Sequence, residues 1–154
     1  MLLILIASGI VILDQITKHL VSQFMSIGDS IPVLNGLFNI TLVHNCGAAF
    51  GLFPNKYIFF YVFSGFTFVL IGIIYFRYAR TNRFLQMILA LIVGGACGNL
   101  IDRVRFHYVI DFLDFYISHY HWPAFNVADS SICVGVGLFS LFFLKHSPDT
   151  MGNT

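Results

Sequence analysis

The chain has 154 residues, 58% of them hydrophobic and 10% charged, with a net charge of +1 and a mean hydropathy of +0.84. Soluble domains carry about 25% charged residues, so an ordinary soluble fold is excluded, and so is the basic surface that nucleic acid needs. What remains is an α-helical polytopic membrane protein in a single domain, residues 1–154, because the length leaves no room for a second core.

The first helix is expected over about 1–24. A span takes about 20 mostly apolar residues, and MLLILIASGIVIL supplies most of them. The stretch lacks the positive start and the small-residue cleavage site of a secretory signal, so it is read as a retained helix. Asp14 and Lys18 stand i, i+4 on one helical face. They form a self-neutralising pair inside the membrane, or they support a polar site, or both.

From 26 to 55 the pattern changes. Gly28, Asp29, Pro32, Asn35 and Gly36 punctuate short segments, and Leu37 to Val43 alternates with a strand's period of two. An open sheet edge cannot face hydrocarbon, so a small sheet is expected at the membrane surface. It runs into His44-Asn45-Cys46-Gly47-Ala48-Ala49-Phe50-Gly51, where small residues permit close backbone approach and Asn45 offers both donor and acceptor. On local grounds this is a turn.

A second helix is expected over about 57–76 and a third over 84–101, joined by a loop with Arg77, Arg80 and Arg83. The positive-inside rule makes that loop cytoplasmic. Both termini then lie on the cytoplasmic side, and 26–55 and 102–125 face outward, although Arg103 and Arg105 reduce the bias. Gly94, Gly95, Ala96 and Gly98 give the third helix a face for close packing. At its outer end Asn99, Asp102 and Arg103 follow at i, i+3 and i+4, and Arg103 beside Asp102 favours an ionised carboxylate there.

The stretch from Gly94 to Asp129 holds Asp102, Asp111, Asp114 and Asp129, four of the seven acidic residues. Asp111 and Asp114 face opposite ways if their segment is extended and share a face if it is helical; the pattern leaves this open. His119 and His121 lack a third metal ligand at convincing spacing. Cys46, Cys97 and Cys133 form neither a disulfide framework nor a zinc pattern and are read as small apolar packers. A fourth helix is expected over about 127–144, followed by a disordered polar tail. Asn126-Val127-Ala128-Asp129 reads as its N-cap with an acidic third residue.

Two carboxylates brought together at a lipid–water boundary cannot both stay ionised, and the pair can share a proton. The ionised member takes a proton from water as it attacks a carbonyl, and the protonated member polarises that carbonyl. Asp129, at a helix start, suits the ionised role; Asp111, in an apolar run, suits the protonated one, and the two titrate together. No metal or other cofactor is needed.

Five blocks then stand out in order: Asp14-Gln-Ile-Thr-Lys18, Asn45-Cys-Gly47-Ala-Ala-Phe50, Gly94-Gly-Ala-Cys-Gly-Asn99-Leu-Ile-Asp102-Arg103, Val109-Ile-Asp111-Phe112 and Pro123-Ala-Phe-Asn126-Val-Ala-Asp129. Together they resemble the lipoprotein signal peptidases, the bacterial signal peptidase II family of aspartic peptidases. The resemblance implies four transmembrane helices with a small extracytoplasmic β-cradle and an active-site loop. It implies a multi-pass enzyme of the bacterial cytoplasmic membrane that cleaves prolipoproteins just before a diacylglyceryl-modified cysteine. It also implies inhibition by the cyclic peptide globomycin, and one complete site is compatible with a monomer. By position, Asp111 and Asp129 match the catalytic dyad, with Asn45, Gly47, Asn99, Arg103 and Asn126 around it and Asp14, Lys18 and Asp102 in support. Either Asp102 or Asp111 could partner Asp129; the neighbouring Arg103 favours Asp111.

Three rival readings exist. An ion- or proton-coupled transporter would use Asp14, Lys18 and the outer aspartates as a relay, but no inverted repeat is visible. A metal-dependent lipid transferase would use the four clustered aspartates as oxygen ligands. A non-catalytic scaffold leaves the clustering of Asp and Asn unexplained.

Overall fold

The computed structural model describes residues 1–47 and 56–145, without the Tyr57 side chain. Of the small-residue turn expected over His44–Gly51, the part from Ala48 onward lies outside the described residues, as does the polar tail beyond Lys145. Four long helices carry the chain: α1 (Leu2–Phe24), α2 (Tyr57–Ile74, extended by a π-helical turn at Tyr75–Ala79), α3 (Arg83–Phe106) and α4 (Val127–Lys145). All four are long and apolar enough to cross a membrane.

The bundle is apolar on its outside. Ile4, Leu5 and Ile12 on α1, Val62, Phe66 and Val69 on α2, and Leu141, Phe143 and Leu144 on α4 are all exposed. Such a surface is stable only against lipid. The third helix is the centre: half of its apolar stretch is buried, against 11% to 17% in the other three. Its glycines allow this. A Cβ on Gly94 would meet Ile10 and the Ala7 carbonyl of α1, and one on Gly95 would meet the Ala128 carbonyl, Ser131 and Ile132 of α4. Close approach between spans depends on such positions.

α3 starts where Asn82 Oδ1 accepts from Leu85 N at 3.0 Å, a side-chain N-cap. It stops at His107, whose φ of 65° breaks the helical repeat. This end is five residues later than the hydropathy pattern indicates. Asp102 and Arg103 are therefore on the helix and not in a loop, because they face polar partners inside the protein and need not leave the apolar layer.

The remaining elements form a four-stranded antiparallel sheet in the order β1 (Ser30–Leu34), β2 (Phe38–Asn45), β3 (Val109–Ile117) and β4 (Tyr120–His121). The strand expected from Leu37 to Val43 is β2. The Val109–Ile117 segment is extended, so Asp111 and Asp114 point to opposite faces. The β2–β3 register slips by one residue between Ile40↔Leu113 and Val43↔Asp111, a bulge beside Asp111.

The cysteines depart from expectation. Cys46 and Cys133 are exposed and Cys97 is half-buried, so they are not core packers.

Candidate active site

Asp111 and Asp129 reach one place from different elements. β3 carries Asp111, 1% exposed; the first turn of α4 carries Asp129. Both line a cavity of about 710 Å³ bounded by α2, α3, α4 and the segment Trp122–Phe125. Its walls are mainly apolar, with Phe59, Phe60 and Phe63 from α2 and Ile92 and Ala96 from α3. Asn45, Asn99, Arg103, Asp111 and Asp129 supply its amide and charged groups, and Ser64, Thr67 and Ser130 add hydroxyls.

Each carboxylate is held by amides whose orientation is itself fixed. Asn126 is the N-cap of α4: its Oδ1 accepts from Asp129 N at 2.9 Å. That turns its Nδ2 outward, where it donates to Asp111 Oδ1 at 2.7 Å, to Asn99 Oδ1 at 3.1 Å and to the Ile110 carbonyl at 3.2 Å. Asn45 is fixed the same way. Its Oδ1 accepts from Gly47 N at 2.9 Å, leaving Nδ2 to donate to Asp111 Oδ2 at 2.9 Å. Asn99 Oδ1 takes Lys18 Nζ at 3.0 Å, so its Nδ2 donates to Asp129 Oδ1 at 2.7 Å. The cap reading of Asn126 holds, and the same amide also reaches Asp111, since its oxygen and its nitrogen serve different partners.

Asp111 is pushed up to about 7, first by burial and then by the nearby Asp129 charge. The hydrogen bonds from Asn45 and Asn126 and the charge of Lys18 pull the other way and are outweighed. At neutral pH the pair can therefore hold one proton between two carboxylates.

Asp102 belongs to a separate buried cluster. Lys18 Nζ lies 2.9 Å from Asp14 Oδ2 and 2.8 Å from Asp102 Oδ2. Gln15 Nε2 donates to Asp102 Oδ1 at 2.9 Å and to Asp14 Oδ2 at 3.2 Å. Ala128 N donates to Asp14 Oδ1 at 2.9 Å, and Ile110 N to Asp102 Oδ2 at 3.2 Å. The cation that pairs directly with Asp102 is thus Lys18 and not the adjacent Arg103. Arg103 instead lies 4.4 Å over the Phe60 ring and donates to the Gly47 carbonyl at 3.3 Å. Gln15 was not singled out in the sequence, although a polar residue between Asp14 and Lys18 in an apolar helix was the signal. Phe60 carried no signal, because its role depends on which helix Arg103 faces.

The four clustered aspartates occupy three environments: Asp102 with Lys18, Asp111 with Asp129, and Asp114 with Thr41 and His121. No group of three His, Cys or Asp side chains converges for a metal among the described residues.

A helical bundle with a lipid-facing surface, an apolar cavity and a buried carboxylate pair defines a membrane-embedded aspartic peptidase. The family described as signal peptidase (SPase) II matches residues 6–145, and this chain belongs to it. A lipoprotein signal peptidase of Desulforapulum autotrophicum is 50% identical over 142 residues, 89% of this chain and 88% of that one. The one from Bacillus subtilis is 44% identical over 149 residues, 96% of each chain. A bacterial membrane enzyme structure solved by the in meso method at 2.3 Å superposes with a TM-score of 0.90 at 38% identity, covering 99% of this chain and 93% of that one.

Proposed function

We propose that this peptidase removes the signal peptide from lipid-modified bacterial prolipoproteins, cutting before the diacylglyceryl-cysteine, with Asp111 and Asp129 as the catalytic pair. The observation that carries this reading is the pair of carboxylates, Asp111 and Asp129, that together line a mainly apolar cavity. A lipidated substrate can reach such a cavity from the bilayer, with its acyl chains against Phe59, Phe63 and Ile92.

Asp129, ionised, takes a proton from water as the oxygen attacks the scissile carbonyl. Asp111, protonated, gives its proton to the carbonyl oxygen, and a tetrahedral diol forms. Collapse returns a proton to Asp111 as the carbonyl reforms; Asp129 passes its proton to the departing amine. The C–N bond breaks and both carboxyls are restored. Asn45 and Asn126 orient Asp111, and Asn99 orients Asp129. Arg103 and Gly47 tie the strand end to α3. Asp14, Lys18 and Asp102 lock α1 to α3 and α4 and set the Asn99 amide.

The proposal extends to orientation. The arginine loop lies in the cytoplasm with both termini, and the sheet and cavity mouth face outward in the bacterial cytoplasmic membrane. A monomer suffices, and globomycin would compete for the cavity.

The test is cleavage of a diacylglyceryl-modified prolipoprotein by detergent-purified protein in chelator, beside Asp111→Asn. Cleavage by the parent alone, with the variant folded, supports the reading. Cleavage by both removes Asp111 from the pair, and no cleavage by a folded parent overturns the substrate assignment.

A further inference from the structure

β3 presents Asp111 to the cavity and Asp114 to the other face, and the reaction leaves Asp114 unused. Asp114 is 6% exposed. One oxygen accepts from Thr41 Oγ1 at 2.8 Å, and the other lies 2.8 Å from His121 Nδ1. Ser30 Oγ sits 2.8 Å from Thr41 Oγ1, so one chain of polar groups crosses all four strands. The His121 ring also stacks on Tyr116, with centroids 5.0 Å apart. A buried carboxylate is costly unless donors meet it, and here the donors join β2 and β4 to β3.

The four residues after His121 are a wall of the cavity. Trp122, Pro123, Ala124 and Phe125 all line it. Trp122 N donates to the Phe115 carbonyl at 2.8 Å, and Phe125 rejoins Leu113 through bonds of 2.8 and 3.1 Å. β4 itself has two residues, and the hairpin tip beyond it is open, with Ile117 and Tyr120 73% and 85% exposed. So short a strand, with so open a tip, holds its position poorly by backbone pairing alone.

We propose that the Asp114–His121 pair, backed by Thr41, is a latch that positions the Trp122–Phe125 wall and thereby sets substrate capture. His121 is a positioning residue: it touches neither the cavity nor the carboxylate pair. The effect falls on KM and not on kcat, because Asp114 and His121 make no hydrogen bond to Asn45 or Asn126, the amides that hold Asp111. This inference rests on the proposed peptidase reaction for its kinetic arm only.

Trp122 is the single tryptophan of the chain, so its emission reports on the wall without any substrate. The experiment compares the full-length parent, His121→Phe and His121→Asn in detergent at fixed pH. His121→Phe keeps a ring for Tyr116 but loses the donor; His121→Asn keeps a donor near the Nδ1 position. In His121→Phe, acrylamide quenching of Trp122, already 63% exposed in the parent, is expected to rise by up to about half. KM for a diacylglyceryl-modified prolipoprotein should rise about tenfold, with kcat within about twofold, the scale of one lost charge-assisted hydrogen bond. His121→Asn should restore quenching and KM. Unchanged quenching in folded His121→Phe overturns the latch, as does a fall in kcat without a rise in KM, or failure of His121→Asn to rescue. A parent that does not cleave defeats the substrate assignment, while the quenching comparison still decides the latch.

Discussion

At the residue scale the site rests on amides with two ends. An asparagine whose oxygen is already engaged has no choice about where its NH₂ points, and Asn45, Asn99 and Asn126 each use this to aim a donor at a carboxylate. The raised Asp111 has two consequences. For activity, the proton that Asp111 donates in the proposed reaction is lost as pH passes about 7, so the cleavage rate should fall roughly tenfold per pH unit above that point. Asp111→Asn should lower kcat at least ~10³-fold. For stability, the folded state holds this proton up to about 7 and the unfolded chain only to about 3.8. The contribution is therefore full below pH ~4 and lost as pH rises to ~7. Melting curves should show Asp111→Asn gaining on the parent across that window and holding its advantage above it. A melting difference independent of pH would argue against a buried, protonated Asp111.

Lys18 is the second residue on which much depends. It stands between Asp14 and Asp102 with all three side chains buried. Replacing it with Met leaves two buried carboxylates without their cation, at a cost of about 3–5 kcal/mol. The expected result, read by thermal unfolding in detergent, is a large loss of folded protein. Any folded remainder should also lose activity, because Asn99 is no longer oriented toward Asp129.

At the scale of elements, α3 works because its glycines let α1 and α4 come close on two sides. Gly98 is the sharpest case: a Cβ there would lie 2.5 Å from Asp14 Oδ2, so the close approach and the buried ion cluster require one another. Gly95 has the α4 backbone against it, which cannot yield as a side chain can. Gly95→Ala should cost roughly 1–3 kcal/mol, while Gly137→Ala, with nothing within 4 Å of its Cβ, should be neutral or slightly stabilising. Thermal midpoints of the two variants would decide this, and equal midpoints would contradict the packing described. The sheet shows the same economy, since β3 carries one aspartate to the cavity and another to the latch by strand alternation alone.

For the whole molecule, the proposed orientation can be read chemically. In a cysteine-free background, His119→Cys should react in intact cells with a membrane-impermeant maleimide, and Thr81→Cys only after lysis. The opposite pattern would invert the topology and place the cavity mouth in the cytoplasm.

The four candidate spans, the small sheet, the cap at Asn126 and the ordered set of polar residues were all legible in the sequence. Each of these is a local signal: apolar run length, alternation, or a side chain bonding its own backbone neighbours. The choice between Asp102 and Asp111 was not legible in that way. The reason offered by the sequence, Arg103 beside Asp102, named the wrong cation, because i, i+1 neighbours on a helix point apart while Lys18, 84 positions earlier, meets Asp102 across the α1–α3 contact. The extended state of 109–117, the part of Gln15 and the latch at His121 were decided only in three dimensions. Hydrogen bonds between distant segments depend on how helices and strands are set against one another, and no periodicity within a single segment records that.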